Sequence, residues 1–167
     1  MVSLAPLYRS SIVIFVVDQL TKLYVVQYLN LKEIGTLTVF EPYLVFRMAW
    51  NTGINFGIGG GQGDLAKWFL IALALVISGW IFWWMRKEQP SRVVQISAGF
   101  VIGGALGNVI DRVIYGAVAA FLNMSCCGFD NPWSFNVADI AIFVGAAGLI
   151  LFSGNSSKDS DAAGKAG

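Results

Sequence analysis

The chain has 167 residues, 56% of them hydrophobic and only 13% charged, which is too much apolar surface for a soluble domain of this size to hide. Eleven basic against ten acidic residues give a net charge of +1, no field for nucleic acid or for acidic partners. The absence of histidine removes His-based triads, Cys–His dyads and His-ligated metals.

A spanning helix needs about 20 mostly apolar residues. Four stretches come close: Leu7–Leu29, Leu65–Trp84, Val93–Ile110 and the shorter Val137–Phe152. The first contains Asp18 and Lys22, lacks a small-residue cleavage site and is too long for a signal-peptide core, so no secretory leader is expected. Between the first two spans, 36–50 is rich in β-branched and aromatic residues, with Pro42 giving it an edge character, and predicts a small sheet on the membrane surface. A glycine-rich run, Gly53–Gly63, follows and reads as turns or a mobile loop. The second outer segment, Arg112–Ser134, carries the turn signal Asp130-Asn131-Pro132 and two adjacent cysteines, Cys126 and Cys127, read as small structural thiols. The Ser-, Asp-, Gly- and Ala-rich tail, 154–167, predicts disorder.

Basic residues set the orientation. Arg86, Lys87 and Arg92 lie between the second and third spans, Arg9 precedes the core of the first, and Lys158 and Lys165 follow the fourth. Those regions, and hence both termini, are expected on the cytoplasmic side, with Trp80, Trp83 and Trp84 as an aromatic belt.

Charge within a span costs roughly 2.5 kcal/mol or more near its centre, so the polar residues there call for partners. Asp18 and Lys22, at i, i+4, share a helix face and can neutralise one another, as a structural ion pair or in a direct role. Asp111 closes the third span and Asp139 opens the fourth, each three residues after an asparagine, Asn108 and Asn136. That spacing puts amide and carboxylate on one face. A helix cap accounts for Asn136 alone, but not for a second Asn-x-x-Asp at the matching depth. Gly99, Gly103 and Gly107 form a small-residue ridge suited to close helix packing.

Four boxes together resemble the bacterial lipoprotein signal peptidase (signal peptidase II) family. They are Asp18-Gln-Leu-Thr-Lys22, Asn51-Thr-Gly-Ile-Asn-Phe56, Gly107-Asn-Val-Ile-Asp-Arg112 and Phe135-Asn-Val-Ala-Asp139, in the family's order over almost the whole chain. The resemblance implies an all-α membrane protein: a four-helix domain over 1–153, with an extracytoplasmic β-cradle drawn from about 30–64. It implies an intramembrane aspartyl endopeptidase of the bacterial inner membrane that removes the signal peptide from a diacylglyceryl-modified prolipoprotein, just before the lipidated cysteine. No metal or other cofactor is implied; membrane lipid, the prolipoprotein and globomycin-like inhibitors are the implied partners, and a monomer is expected. Asn51, Gly53, Asn108, Arg112, Asn136 and Ala138 would line the substrate groove, and Asp111 would support the site beside Arg112.

One departure matters. In the family an aspartate follows the third box, in a stretch that here reads Gly116-Ala-Val-Ala-Ala-Phe121, so Ala120 stands where one half of the catalytic pair belongs, while the other half falls on Asp139. Aspartyl chemistry needs two carboxyls sharing one proton, one acting as base toward water while the other polarises the scissile carbonyl. With a methyl group at 120, cleavage should be poor. Either an active parent was engineered, which the completeness of the other boxes favours, or the chain is a natural pseudoenzyme. Replacement of the missing acid by Asp111, nine residues earlier, would need considerable rearrangement. The alternatives are a non-cleaving binder of lipidated precursors and, ranked lower, an ion or proton transporter or a Ser–Lys protease using Lys22.

Overall fold

The computed structural model describes residues 3–41, 43–53, 63–125 and 131–164, with the side chains of 63–64 and 154–164 outside the description. Pro42, most of the glycine-rich run, Cys126, Cys127, Asp130 and Lys165 therefore lie outside the described residues, as does the side chain of Lys158.

Helix α1, Ala5–Lys22, starts with Pro6 in its first turn, where a missing N–H costs nothing, and continues as a π-helical segment, Leu23–Tyr28. The hydroxyls of Ser10 and Thr21 bond back to Pro6 O and Val17 O at 2.8 and 2.9 Å, so neither is left unsatisfied in an apolar setting. A short helix α2, Leu31–Ile34, leads into strands β1, Thr36–Phe40, and β2, Leu44–Asn51. Helix α3 is Gly63–Glu88 and α4 is Arg92–Tyr115. Strand β3, Val118–Met124, precedes α5, Val137–Gly164.

Among the described residues, three helical stretches are long and apolar enough to cross a membrane: Ala5–Tyr28, Leu65–Glu88 and Arg92–Tyr115. The fourth apolar helix, Val137–Ser153, is shorter than those three. The backbone of α5 continues as helix to Gly164, although the tail composition alone predicts disorder from 154.

Two expectations need correction. The third helix does not end near Ile110; it runs on to Tyr115, so Asp111 and Arg112 lie inside a continuous helix that stops at Gly116, whose φ of 77° and N–H bond to Arg112 O form a left-handed cap. The sheet is not confined to 30–64. Among the described residues it is three-stranded and antiparallel, in the order β1-β2-β3, and β3 comes from the segment read as a turn-bearing loop. Register places Ala49 opposite Ala120 and Asn51 opposite Val118. Ala117 to Phe121 are all buried, so this stretch lacks the in–out alternation that marks a half-exposed strand.

Glycine sets how closely the helices approach. A Cβ at Gly99 or Gly103 would strike Ser10, Leu7 or Ser11 of α1, and one at Gly107 would sit 2.6 Å from Asp18 Oδ2. On the other side of α4, a Cβ at Gly104 would lie 2.6 Å from Ala138 O of α5, and one at Gly145 of α5 would lie 2.6 Å from Ser97 O. Helix α4 is thus the central post, clamped between α1 and α5 at distances only small residues allow. Leu7, Ile81, Met85, Val94, Ala98 and Val101 form the apolar core at one end. At the other, Val25, Val26 and Leu31 form a second apolar cluster with Ala119 and Phe121 of β3, with Phe121 edge-on to Phe46.

Candidate active site

The polar residues of α1, α4 and α5 meet where β3 passes the start of α5. Lys22 Nζ lies 2.7 Å from Asp18 Oδ2 and 2.8 Å from Asp111 Oδ2, and its side chain is 7% exposed. Its third contact is with Asn108 Oδ1 at 3.4 Å. An ammonium has three N–H donors, and all three are used. The local i, i+4 pair expected of Asp18 and Lys22 is present, but it is half of a bridge, because the same lysine also reaches Asp111 on another helix.

Each carboxylate then holds a backbone amide. Asp18 Oδ1 accepts from Ala138 N at 2.9 Å, and Asp111 Oδ2 accepts from Ala119 N at 3.1 Å. Gln19 Nε2 ties the two acids together, donating to Asp18 Oδ2 at 3.1 Å and to Asp111 Oδ1 at 3.2 Å. Its role went unread in the sequence, although a glutamine inside a span is itself a signal that a polar partner is near.

Asn136 and Asp139 form a reciprocal cap on α5. Asp139 N donates to Asn136 Oδ1 at 2.8 Å, and Asn136 N donates to Asp139 Oδ2 at 3.2 Å. Asn136 Nδ2 also donates to Ala119 O at 3.0 Å and to Asn108 Oδ1 at 3.2 Å, and Asn108 Nδ2 donates to Asp139 Oδ1 at 3.0 Å. Asn136 is thus both a cap and a cross-link from α5 to α4 and β3. Phe135 extends the link, pairing antiparallel with Leu122.

The two Asn-x-x-Asp pairs are hydrogen-bonded to each other through Asn108, but the two aspartates have different surroundings. Asp111 is 1% exposed and committed to Lys22, Gln19 and Ala119 N. Asp139 is half-buried, with Asn108 and its own cap as partners. Arg112 lies within electrostatic reach of both; its Nη1 donates to Asn108 O at 3.4 Å, and its buried Nε has no hydrogen-bond partner among the described residues. Ala120 is buried on β3, next to Ala119, whose N–H is held by Asp111 and whose carbonyl oxygen is held by Asn136. Ala138 is buried and contributes its N–H to Asp18. Asn51 is exposed, and its Oδ1 accepts from Gly53 N at 2.9 Å in a tight turn with Gly53 at φ 89°. Beside Phe121 opens an apolar groove of about 350 Å³, lined by residues that include Tyr24, Val25, Phe46, Leu122 and Val137. Among the described residues no cluster of acidic or cysteine side chains could hold a metal ion.

A small sheet over a bundle of apolar helices, with a hydrogen-bonded polar junction between them, defines a small helical membrane protein. Residues 10–154 match the family model described as signal peptidase (SPase) II, and the chain belongs to that family. Relatives named lipoprotein signal peptidase include one from Methylorubrum extorquens, 42% identical over 113 residues, and one from Rhodopseudomonas palustris, 38% identical over 144 residues. The first match takes in 66% of this chain and 63% of the relative, the second 84% and 87%. The chain thus spans less than two thirds of the length of the Methylorubrum relative. A solved structure described as a bacterial membrane enzyme superposes with a TM-score of 0.72 at 25% identity, covering 90% of this chain and 88% of the other.

Proposed function

We propose that the chain is a lipoprotein signal peptidase scaffold of the aspartyl type in which one of the two reacting carboxyls is missing. One residue carries the reading. Asn136 donates to Ala119 O and accepts from Asp139 N, so the backbone at 119–120 and the start of α5 are joined through a single side chain. An aspartate at 120 would then face the same junction as Asp139. Two carboxyls there could not both stay ionised; one would hold the shared proton and polarise the peptide carbonyl while the other drew a proton from water. With alanine at 120, Asp139 keeps only one of these roles.

The four apolar helices, Val137–Ser153 included, would all span the bilayer. Arg86, Lys87 and Arg92 would mark the cytoplasmic side and leave the junction at the outer face. The groove beside Phe121 has the apolar lining that an acyl chain of a diacylglyceryl-modified precursor requires. The decisive experiment is cleavage of such a precursor by the Ala120→Asp chain, followed by Asp139→Asn in that background. Cleavage is expected to appear with the first change and vanish with the second; no product from Ala120→Asp, or product that persists after Asp139→Asn, sinks the carboxylate-pair assignment.

Ala120 itself favours a second reading, a protein that binds lipidated precursors and does not cut them. In that case the chain binds the lipopeptide without forming product over long incubation, and Asp139→Ala leaves its affinity nearly intact.

A further inference from the structure

We propose that Lys22 is the positioning residue for both halves of the carboxylate site. The proposal rests on the assignment of positions 120 and 139 above. Lys22 lies on α1, away from both positions, yet each of its three N–H groups leads to one of them through a single intermediate side chain. Through Asp111 it holds the N–H of Ala119, next to Ala120. Through Asp18 it holds the N–H of Ala138, next to Asp139. Through Asn108 it bears on the Asp139 carboxylate itself: Lys22 and Asn136 Nδ2 both donate to Asn108 Oδ1, which turns the amide so that Nδ2 faces Asp139 Oδ1.

The physical argument is one of charge and register. Asp18 and Asp111 are both fully buried, and each can hold its backbone N–H as an ionised carboxylate only while a cation stands between them. Removing one partner of a buried ionic group leaves the others uncompensated unless they move or take up a proton. Movement here would not be neutral. Asp111 would release the strand at 119 and Asp18 the helix start at 138, so the separation and mutual angle of the two reacting positions would loosen together. A stabilising ion pair on a helix surface has no such geometry; it would leave the two amides independent of each other. Misplacement of reacting groups by about 1 Å costs roughly 100-fold in rate.

The test has two arms. In the Ala120→Asp chain, in lipid nanodiscs, Lys22→Met should lower kcat on a diacylglyceryl-modified precursor peptide about 100-fold. KM and lipopeptide affinity should stay within about threefold, with unchanged helical content. In the chain with Ala120 in place, amide hydrogen exchange gives a readout that needs no activity. Lys22→Met should speed exchange at Ala119 and Ala138 together by roughly tenfold, while Asp111→Asn acts mainly at Ala119 and Asp18→Asn mainly at Ala138. Should Lys22→Met fail to fold, Lys22→Arg takes its place; it keeps the charge, cannot reproduce the three-donor geometry, and should show the same paired loosening with a smaller loss of kcat. Parent-like kcat, or exchange that changes at neither amide or at only one, overturns the positioning role. Failure of Ala120→Asp to cleave counts against the assignment of position 120 and leaves the exchange arm to decide the role of Lys22.

Discussion

Helices α3 and α4 follow one another in the chain, have similar lengths of 26 and 24 residues, and use polarity in opposite ways. In α3 only 17% of the apolar stretch is buried, and Trp68, Phe69, Val76, Trp80 and Trp83 are exposed. In α4 the buried share is 61%, and the buried residues include Gly99, Gly103, Gly107, Asn108 and Asp111. A soluble protein would arrange these the other way round. Lipid tails are as apolar as leucine, so large side chains gain little by turning inward, whereas small residues gain close contact and polar residues gain their only partners. In this chain the inside of the bundle is therefore read from glycine, asparagine and aspartate, and the outside from tryptophan and phenylalanine.

That contrast can be broken at its strongest point first. In the Ala120→Asp chain, loss of the Asp139 carboxylate by Asp139→Asn should lower turnover by about 1,000-fold or more, since a lone carboxyl cannot serve as both acid and base. A residual rate within tenfold of the parent would show that the polar junction is structural only. Next is Gly107→Val, which drives a branched side chain toward Asp18 where even a Cβ would lie 2.6 Å from Oδ2. A loss of at least about 3 kcal/mol is expected in a reversible unfolding titration, seen as a large drop in midpoint.

Asn136→Ala sharpens the comparison with a smaller effect. It removes the cap on α5 and leaves the buried Ala119 carbonyl and Asn108 oxygen short of a donor, so about 2–3 kcal/mol should be lost in the same titration. The smallest effect belongs to α3. A Cβ at Gly79 would meet nothing within 4 Å, so Gly79→Ala should be neutral or stabilising, by up to about 1 kcal/mol. A destabilisation as large as that of Gly107→Val would mean that α3 has a protein partner along this face.

Much of the site was legible where partners are close in sequence. Asn136 and Asp139, three apart, form the reciprocal cap, and Asp18 and Lys22, four apart, form the ion pair that helix periodicity requires. What was not legible depends on chain segments far apart. Nothing local says that Lys22 also serves Asp111, or that Asp111 turns away from Asp139 to hold Ala119 N. The end of the third helix was misplaced because hydropathy falls at Asp111, whereas helical geometry persists as long as a buried partner satisfies the charge; it stops only at Gly116. Strand β3 went unread because 117–121 is buried throughout and shows no alternation.

The sequence by itself determined the class of protein, the apolar helices, the polar residues that must find partners and the family to which their order belongs. The first three follow from composition, spacing and local periodicity, which need no knowledge of distant contacts, and the family follows from the resemblance of the four boxes. Only the tertiary structure decided which partner each buried charge takes, because a desolvated carboxylate is satisfied by whatever donor the packing brings within reach, here a lysine, a side-chain amide and a strand N–H from distant parts of the chain.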